Sequence, residues 1–259
     1  MKPKSFVAFS CPHVPLLDED AFTWLLGEID ELEPDYLINL GDTFEADSSS
    51  RWPSEYDWTI KDEYEAAQKM LERLGSVTSP ECKKVMLAGN HDANITALGR
   101  FDKRIRDVLD PREHVPAMRE WQVEWDYEYD TTRTKGVFML NDVLFMHGFE
   151  ANISSDAMQA ILMCNPFGLL VSGHTHMPKP VTQVNKTQRV CLPYWYANAG
   201  CMRNLDPDYV SRKRHHDWGH ALVHGEVNPD VMNVRSTNGL RRHAGWDAQT
   251  KIYRYASDG

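Results

Sequence analysis

The sequence contains no apolar run near the ~18 residues that a membrane-spanning helix requires, so no bilayer span is expected. Its opening, Met1-Lys2-Pro3-Lys4, leads into an apolar stretch only from Phe6 to Phe9, with no small-residue cleavage site behind it. That is too little for a secretory signal. Cysteine is scarce: Cys11, Cys82, Cys164, Cys191 and Cys201 are odd in number, widely spaced and without a CxxC pair. This argues against a disulfide framework and for a reducing compartment, so a cytoplasmic location is expected. Basic charge is also short. Lysine and arginine number 28 against 38 acidic residues, giving a formal net charge of −10. Such a balance repels nucleic-acid backbones and anionic membrane surfaces. The densest basic run, Arg212-Lys213-Arg214, reads as a solvated face. Internal repeats, low-complexity tracts and a clear linker are missing, and 259 residues with 42% hydrophobic content suit one α/β domain over 1–259.

What is present is a recurring arrangement: a short β-type apolar run ends, and a polar residue able to bind metal or move protons follows at once. Phe6 to Phe9 leads to Cys11 and His13, and Tyr36 to Leu40 leads to Gly41-Asp42. Val85 to Ala88 leads to Gly89-Asn90-His91-Asp92, Val143 to Met146 to His147-Gly148, and Leu169 to Ser172 to Gly173-His174-Thr175-His176. Apolar runs of this length suit strands buried on both faces. Helical spacing separates the early ones. Phe22, Leu25, Leu26, Ile29 and Leu32 follow the acidic start Asp18-Glu19-Asp20 and stop before Pro34. Ile60, Tyr64, Ala67, Leu71 and Leu74 repeat the pattern up to Gly75, and Phe101, Ile105, Val108 and Leu109 repeat it up to Pro111. The alternation predicts a largely parallel first sheet flanked by helices, with shorter, more antiparallel strands of a second sheet from Val190 onward. Residues just past the carboxyl ends of parallel strands converge on one crevice, which is where the five polar motifs would sit. Residues 45–60, with Trp52 and Trp58, read as an insertion or lid beside it, and Trp121 to Arg133 as an edge strand or flap.

Each motif has a plain alternative. His174 and His176 place two imidazoles on one face of an extended segment, as metal ligands or as a surface pair. In Gly89-Asn90-His91-Asp92 the glycine permits a sharp turn, Asn90 offers a carbonyl oxygen and His91-Asp92 an oriented acid–base group, although a capped turn explains half of this. Cys11 at a strand end is either a ligand or a small buried hydrophobe. The order of the five motifs decides between these readings.

That ordered set resembles the calcineurin-like metallophosphoesterase superfamily, whose pattern runs D-x-H, G-D-x-x-[DE], G-N-H-[DE], a histidine after a strand, and G-H-x-H. Here these are Cys11-Pro12-His13, Gly41-Asp42-Thr43-Phe44-Glu45, Gly89-Asn90-His91-Asp92, His147 and Gly173-His174-Thr175-His176; Asn198-Ala199-Gly200 looks like the family's Asn-Pro-Gly turn. The resemblance implies a four-layer α/β/β/α sandwich of two mixed sheets flanked by helices. It implies two divalent metal ions, manganese, zinc or iron, one held by Cys11, His13, Asp42 and His176 and the other by Asp42, Asn90, His147 and His174. Asp42 would bridge them. His91 would face the phosphate, with Glu45 orienting it and Asp92 fixing the loop.

The implied activity is hydrolysis of a phosphomonoester or phosphodiester by attack of a metal-bound hydroxide, with His91 holding the phosphoryl oxygen or protonating the leaving group. The substrate class is a phosphorylated small molecule, nucleotide or protein. A nuclease of the same superfamily is the alternative that the net charge disfavours. A non-catalytic scaffold with one degraded metal site is the other, since Cys11 stands where the pattern has Asp. A thiolate there favours zinc or iron over magnesium. Arg203, His215 and His216 are further candidates to reach a substrate phosphate, while His220 and His224 read as structural.

Overall fold

The computed structural model describes residues 2–49, 56–101, 104, 108–125, 135–148, 159–160, 163–164, 167–184, 194–205, 217–228 and 245–255, without the side chains of 98–101. Its first sheet has six strands in the order β11 (Trp246–Ile252), β10 (Ala221–Val227), β1 (Lys4–Phe9), β2 (Tyr36–Asn39), β3 (Lys83–Leu87) and β4 (Trp121–Glu124). The strands β1 to β4 run parallel in sequence order, and β10 and β11 add antiparallel pairs at the other edge. The second sheet is β5 (Val137–Leu140), β6 (Val143–Met146), β7 (Leu169–Ser172), β9 (Tyr194–Asn198) and β8 (Lys179–Val184). Its centre, β6-β7-β9, is parallel, with antiparallel strands at both edges.

Strand alternation builds the layers. Along β1, Val7 and Phe9 face Phe22, Leu25 and Ile29 of helix α1 (Glu19–Leu32) and Met70, Leu71 and Leu74 of α2 (Ile60–Val77). Phe6 and Ala8 point the other way and pack with Phe145, Val171 and Ala197 of the second sheet. The outer face of that sheet, Leu144, Met146, Leu170 and Tyr196, is covered by Ala160, Met163 and Cys164. The result is the four-layer sandwich of two mixed sheets flanked by helices. Helix α1 begins where Asp18 accepts the N–H of Ala21, a side-chain cap that supports about 1 kcal/mol of helix stability. Thr59 and Asp62 form a reciprocal capping pair at the start of α2.

Two expectations are corrected. The second sheet does not start at Val190: it begins at Val137, and the strands after residue 220 return to the first sheet. The physical reason is that β6 and β7 are apolar on both faces, which suits the parallel centre of a covered sheet, whereas β10 pairs antiparallel with β1. Nor does α2 stop at Gly75; it runs on to Val77. Pro111 opens α4 (Pro111–His114), and the helical pattern from Phe101 to Leu109 falls mostly outside the described residues, following α3 (Asn90–Phe101). Residues 50–55 of the expected lid, residues 126–133 of the expected flap, and Arg212 to His216 also lie outside them. No helix among the described residues is long and apolar enough to cross a membrane.

Candidate metal centre

Five parallel strands end on one crevice. β1 delivers Cys11 and His13, β2 Asp42 and Glu45, β3 the start of α3 with Asn90, His91 and Asp92, β6 His147, and β7 His174 and His176. The strand-end loops interlock through their backbones: Cys11 N–H donates to Gly41 O, His13 N–H to Asp42 O, and Gly173 N–H to His147 O, at 2.8–3.0 Å. Gly89 is required by proximity, because a Cβ there would lie 2.1 Å from Asp42 Oδ1.

Asp42 is central and buried. Its Oδ1 accepts the backbone N–H of His91 at 2.8 Å, while its Oδ2 lies 3.0 Å from His147 Nε2 and 3.6 Å from His13 Nε2. Burial works against its charge, but His147, His91 and His13 outweigh burial and hold its carboxyl well below the ordinary carboxylate range. One carboxylate oxygen thus stands between two imidazoles from different sheets.

The tautomers can be read from the partners. His147 Nδ1 lies 3.1 Å from the carbonyl of Leu40, which only accepts, so Nδ1 carries a proton there. Its Nε2 faces Asp42 Oδ2 at 3.0 Å, Asn90 Oδ1 at 3.2 Å and His174 Nδ1 at 3.2 Å. On the other side, His13 Nδ1 donates to Glu45 Oε2 at 2.7 Å, leaving its Nε2 lone pair 3.1 Å from His176 Nε2. Burial first, then neighbouring positive charge, pushes His13 and His176 well below the usual histidine range. The Nδ1 of His176 is buried without a hydrogen-bond partner. Imidazole, carboxylate, amide and thiol groups gathered this closely are metal ligands in type and spacing. Cys11, His13 and His176 have donor atoms within 4.8 Å of one another, as do Cys11, Asp42 and His147. These donor sets fit divalent metal ions.

Cys11 is fully buried, and burial pushes its thiol up. Its sulfur lies 2.9 Å from Ser10 Oγ and 3.3 Å from the backbone N–H of His174. Nothing in the sequence singled out Ser10, since a serine before a cysteine carries no pattern.

Around this cluster the structure assigns the polar residues differently from expectation. The carboxylate of Glu45 bonds His13, and its nearest oxygen is 3.9 Å from His91 Nδ1. His91 is instead held through the backbone carbonyl of Glu45 at 2.6 Å. Glu45 also accepts from Arg203 Nη1 at 3.3 Å, and Arg203 is among the most deeply buried side chains. The reason is geometric: Ala46, next to Glu45, is in the left-handed region (φ 53°), and the strand-end turn presents the Glu45 carbonyl to His91 and its carboxylate to His13. Asp92 accepts from Thr43, Phe44 and Gly89 N–H groups and ties two loops together; burial and Asp42 push its carboxyl up to about 6. His91 keeps 28% of its side chain exposed. Burial opposes its charge, but Asp42 and Glu45 raise its pKa overall. Trp218, which no sequence signal marked, packs its ring 4.3 Å from that of His176. His220 bonds the Cys201 carbonyl and the Tyr255 hydroxyl, and His224 lies in β10.

Fold and cluster define a metal-binding α/β/β/α sandwich protein. A family model described as calcineurin-like phosphoesterase matches residues 4–178, and the chain belongs to that family. Comparison with curated proteins gives no match. Among solved structures, the chain is similar to YfcE, a phosphoesterase from E. coli, at 18% identity over 89% of this chain and 91% of that one, with a TM-score of 0.39. It is also similar to Vacuolar Protein Sorting 29 from Cryptosporidium parvum, at 14% identity over 97% and 98%, TM-score 0.42. The nuclease MPE from Pseudomonas putida is similar at 12% identity over 84% and 83%, TM-score 0.40.

Proposed function

We propose that the chain is a two-metal phosphoesterase that hydrolyses a phosphomonoester or phosphodiester in the cytoplasm. The observation that carries this reading is the convergence of imidazole and thiol ligand atoms around the buried Asp42 carboxylate, beside the partly exposed His91. Cys11, His13, Asp42 and His176 would hold one ion, and Asp42, Asn90, His147 and His174 the other. When bound, two divalent ions acidify a water towards neutral pH and stabilise the entering and leaving oxygens of an in-line displacement at phosphorus.

The protein's own groups do the remainder. His91 is fixed by donating from Nδ1 to the Glu45 carbonyl, which leaves Nε2 to hold a phosphoryl oxygen or hand a proton to the leaving oxygen. Glu45 and Arg203 hold His13 in the tautomer that presents Nε2. Asp92 keeps the Asp42 and His91 loops in register. The four described cysteines, Cys11, Cys82, Cys164 and Cys201, are free, which favours a reducing compartment. The substrate is expected to be a phosphorylated small molecule, nucleotide or protein. The deciding experiment pairs elemental analysis of gently purified protein with hydrolysis of an aryl phosphate and its diester. Metal with turnover of either ester is expected; protein that binds no manganese, zinc or iron and stays inactive with all three overturns the proposal.

A further inference from the structure

The two halves of the centre are built from different chemistry. Around Asp42, one half offers two imidazoles and a sulfur (His13, His176, Cys11), and the other two imidazoles and an amide oxygen (His147, His174, Asn90). The sulfur is buried at the end of β1 and receives the backbone N–H of His174 from the β7 loop, with Ser10 Oγ against it. The sulfur also lies within 4.8 Å of ligand atoms of His13 and His176, and of Asp42 and His147. Gly173 lets the two loops close on this sulfur, for a Cβ there would lie 1.7 Å from Ser10 Oγ. The other described cysteines, Cys82, Cys164 and Cys201, belong to no cluster of metal-ligating side chains among the described residues.

We infer that Cys11 binds as a thiolate and makes the two metal positions unequal: its half retains zinc or ferrous iron, while the Asn90 half exchanges its ion and accepts manganese. The inference rests on the two-metal reading of the site. The thiol proton leaves to solvent as the cation takes its place, so charge balances. A soft sulfur donor discriminates strongly between zinc or iron and the oxygen-preferring cations, which an amide and a shared carboxylate do not. The centre therefore has one resident ion and one exchangeable ion, and the choice is made by a single side chain.

The test starts from the metal-free full-length protein titrated with cobalt(II). Binding should bring a near-ultraviolet thiolate-to-cobalt charge-transfer band, kept in Cys201→Ser and lost in Cys11→Ser. After zinc loading and dialysis against a weak chelator, the protein should keep about one zinc per chain, with the second position refilled by manganese. Cys11→Asp should lower the zinc-over-manganese preference at least about tenfold, since loss of even an outer partner of a metal ligand costs 10–100-fold in affinity. Should the Cys11 variants fail to fold, mass-mapped alkylation of the unmodified chain serves instead: Cys11 should react at least about tenfold more slowly with zinc bound than after chelation. Cobalt bound without the band, an unchanged metal preference in Cys11→Asp, or equal alkylation rates overturn the inference and leave the two-metal reading standing. Absence of any cobalt or zinc binding overturns both.

Discussion

Glu45→Gln separates two roles for one side chain. In the structure the carboxylate bonds His13 Nδ1 at 2.7 Å and Arg203 Nη1 at 3.3 Å, and is 5% exposed. Glutamine keeps the size and one accepting oxygen but removes the negative charge. His13 then becomes a weaker donor from Nε2, which should reduce affinity at the first metal position by about 10–100-fold, equivalent to about 1.4–2.7 kcal/mol. Arg203 meanwhile faces a neutral amide while buried. Breaking a buried pair costs about 3–5 kcal/mol, and the retained carbonyl oxygen, with the Trp218 ring 5.8 Å away, places this case near the lower end, about 3 kcal/mol. Isothermal metal titration and urea unfolding of the metal-free protein measure the two quantities independently. A variant that binds both metals as tightly as the parent but loses turnover would refute the reasoning, because the carboxylate would then serve His91, as the motif alone implies.

Three further outcomes follow from named contacts. Asp42→Ala should lose more metal than any other single change, since Oδ2 faces imidazoles of both positions; elemental analysis in which His147→Ala loses more would contradict it. His91→Ala should lower kcat by about 10²–10⁴ while metal content stays at the parent level, because its Nδ1 bonds a backbone carbonyl; parallel loss of metal would make His91 a ligand. Glu63, fully buried under the Ala46 and Asp47 N–H groups, has its carboxyl pushed by burial from 4.5 to about 7. A raised carboxylate pKa leaves stability intact below the unfolded value and removes it as pH climbs through the folded one, up to about 3 kcal/mol. Chemical denaturation of Glu63→Gln, set against the parent, should therefore gain relative stability between pH 5 and pH 8, and a pH-independent difference would count against the buried charge.

The five polar motifs were legible because each needs only local information: an apolar run that must be buried, followed by a residue that a strand end exposes. The same logic carried the helices α1 and α2, whose buried stripes Phe22-Leu25-Ile29 and Tyr64-Ala67-Leu71-Leu74 recur at helical spacing. What failed was the assignment of the late strands to their sheet and the partners of buried polar side chains. That β10 returns to β1 depends on long-range register, which a short run such as Ala221 to Val227 does not encode. The partner of Glu45 was equally hidden, because spacing from Asp42 cannot say whether a turn points a carboxylate or a carbonyl at His91. Arg203 was read as a group for substrate phosphate, yet it is buried against Glu45, a contact spanning 158 residues of sequence.

The geometry also explains why the site could not be inferred from backbone preference. Cys11, His13, Asp42, His174 and His176 all adopt left-handed φ, between 48° and 66°, a region uncommon outside glycine and tolerated better by asparagine, aspartate and histidine than by cysteine. Cys11 there costs about 1–3 kcal/mol, and glycine would relax the loop, but glycine has no ligand atom to offer. The strain persists because the surrounding fold over-determines it. Cys11 N–H is fixed to Gly41 O, His13 N–H to Asp42 O and Met202 N–H to Cys11 O, while Asp92 clamps the Thr43, Phe44 and Gly89 amides from below. These bonds hold the backbone and bring the side chains of His13 and His176, and of His147, Asn90 and His174, within 3.2 Å of one another. On the two-metal reading, ions bound among these side chains would offset the cost of the strained backbone, and their binding free energy would then also be folding free energy. The sandwich stabilises the site from its hydrophobic layers, and bound ions would stabilise the loops in return.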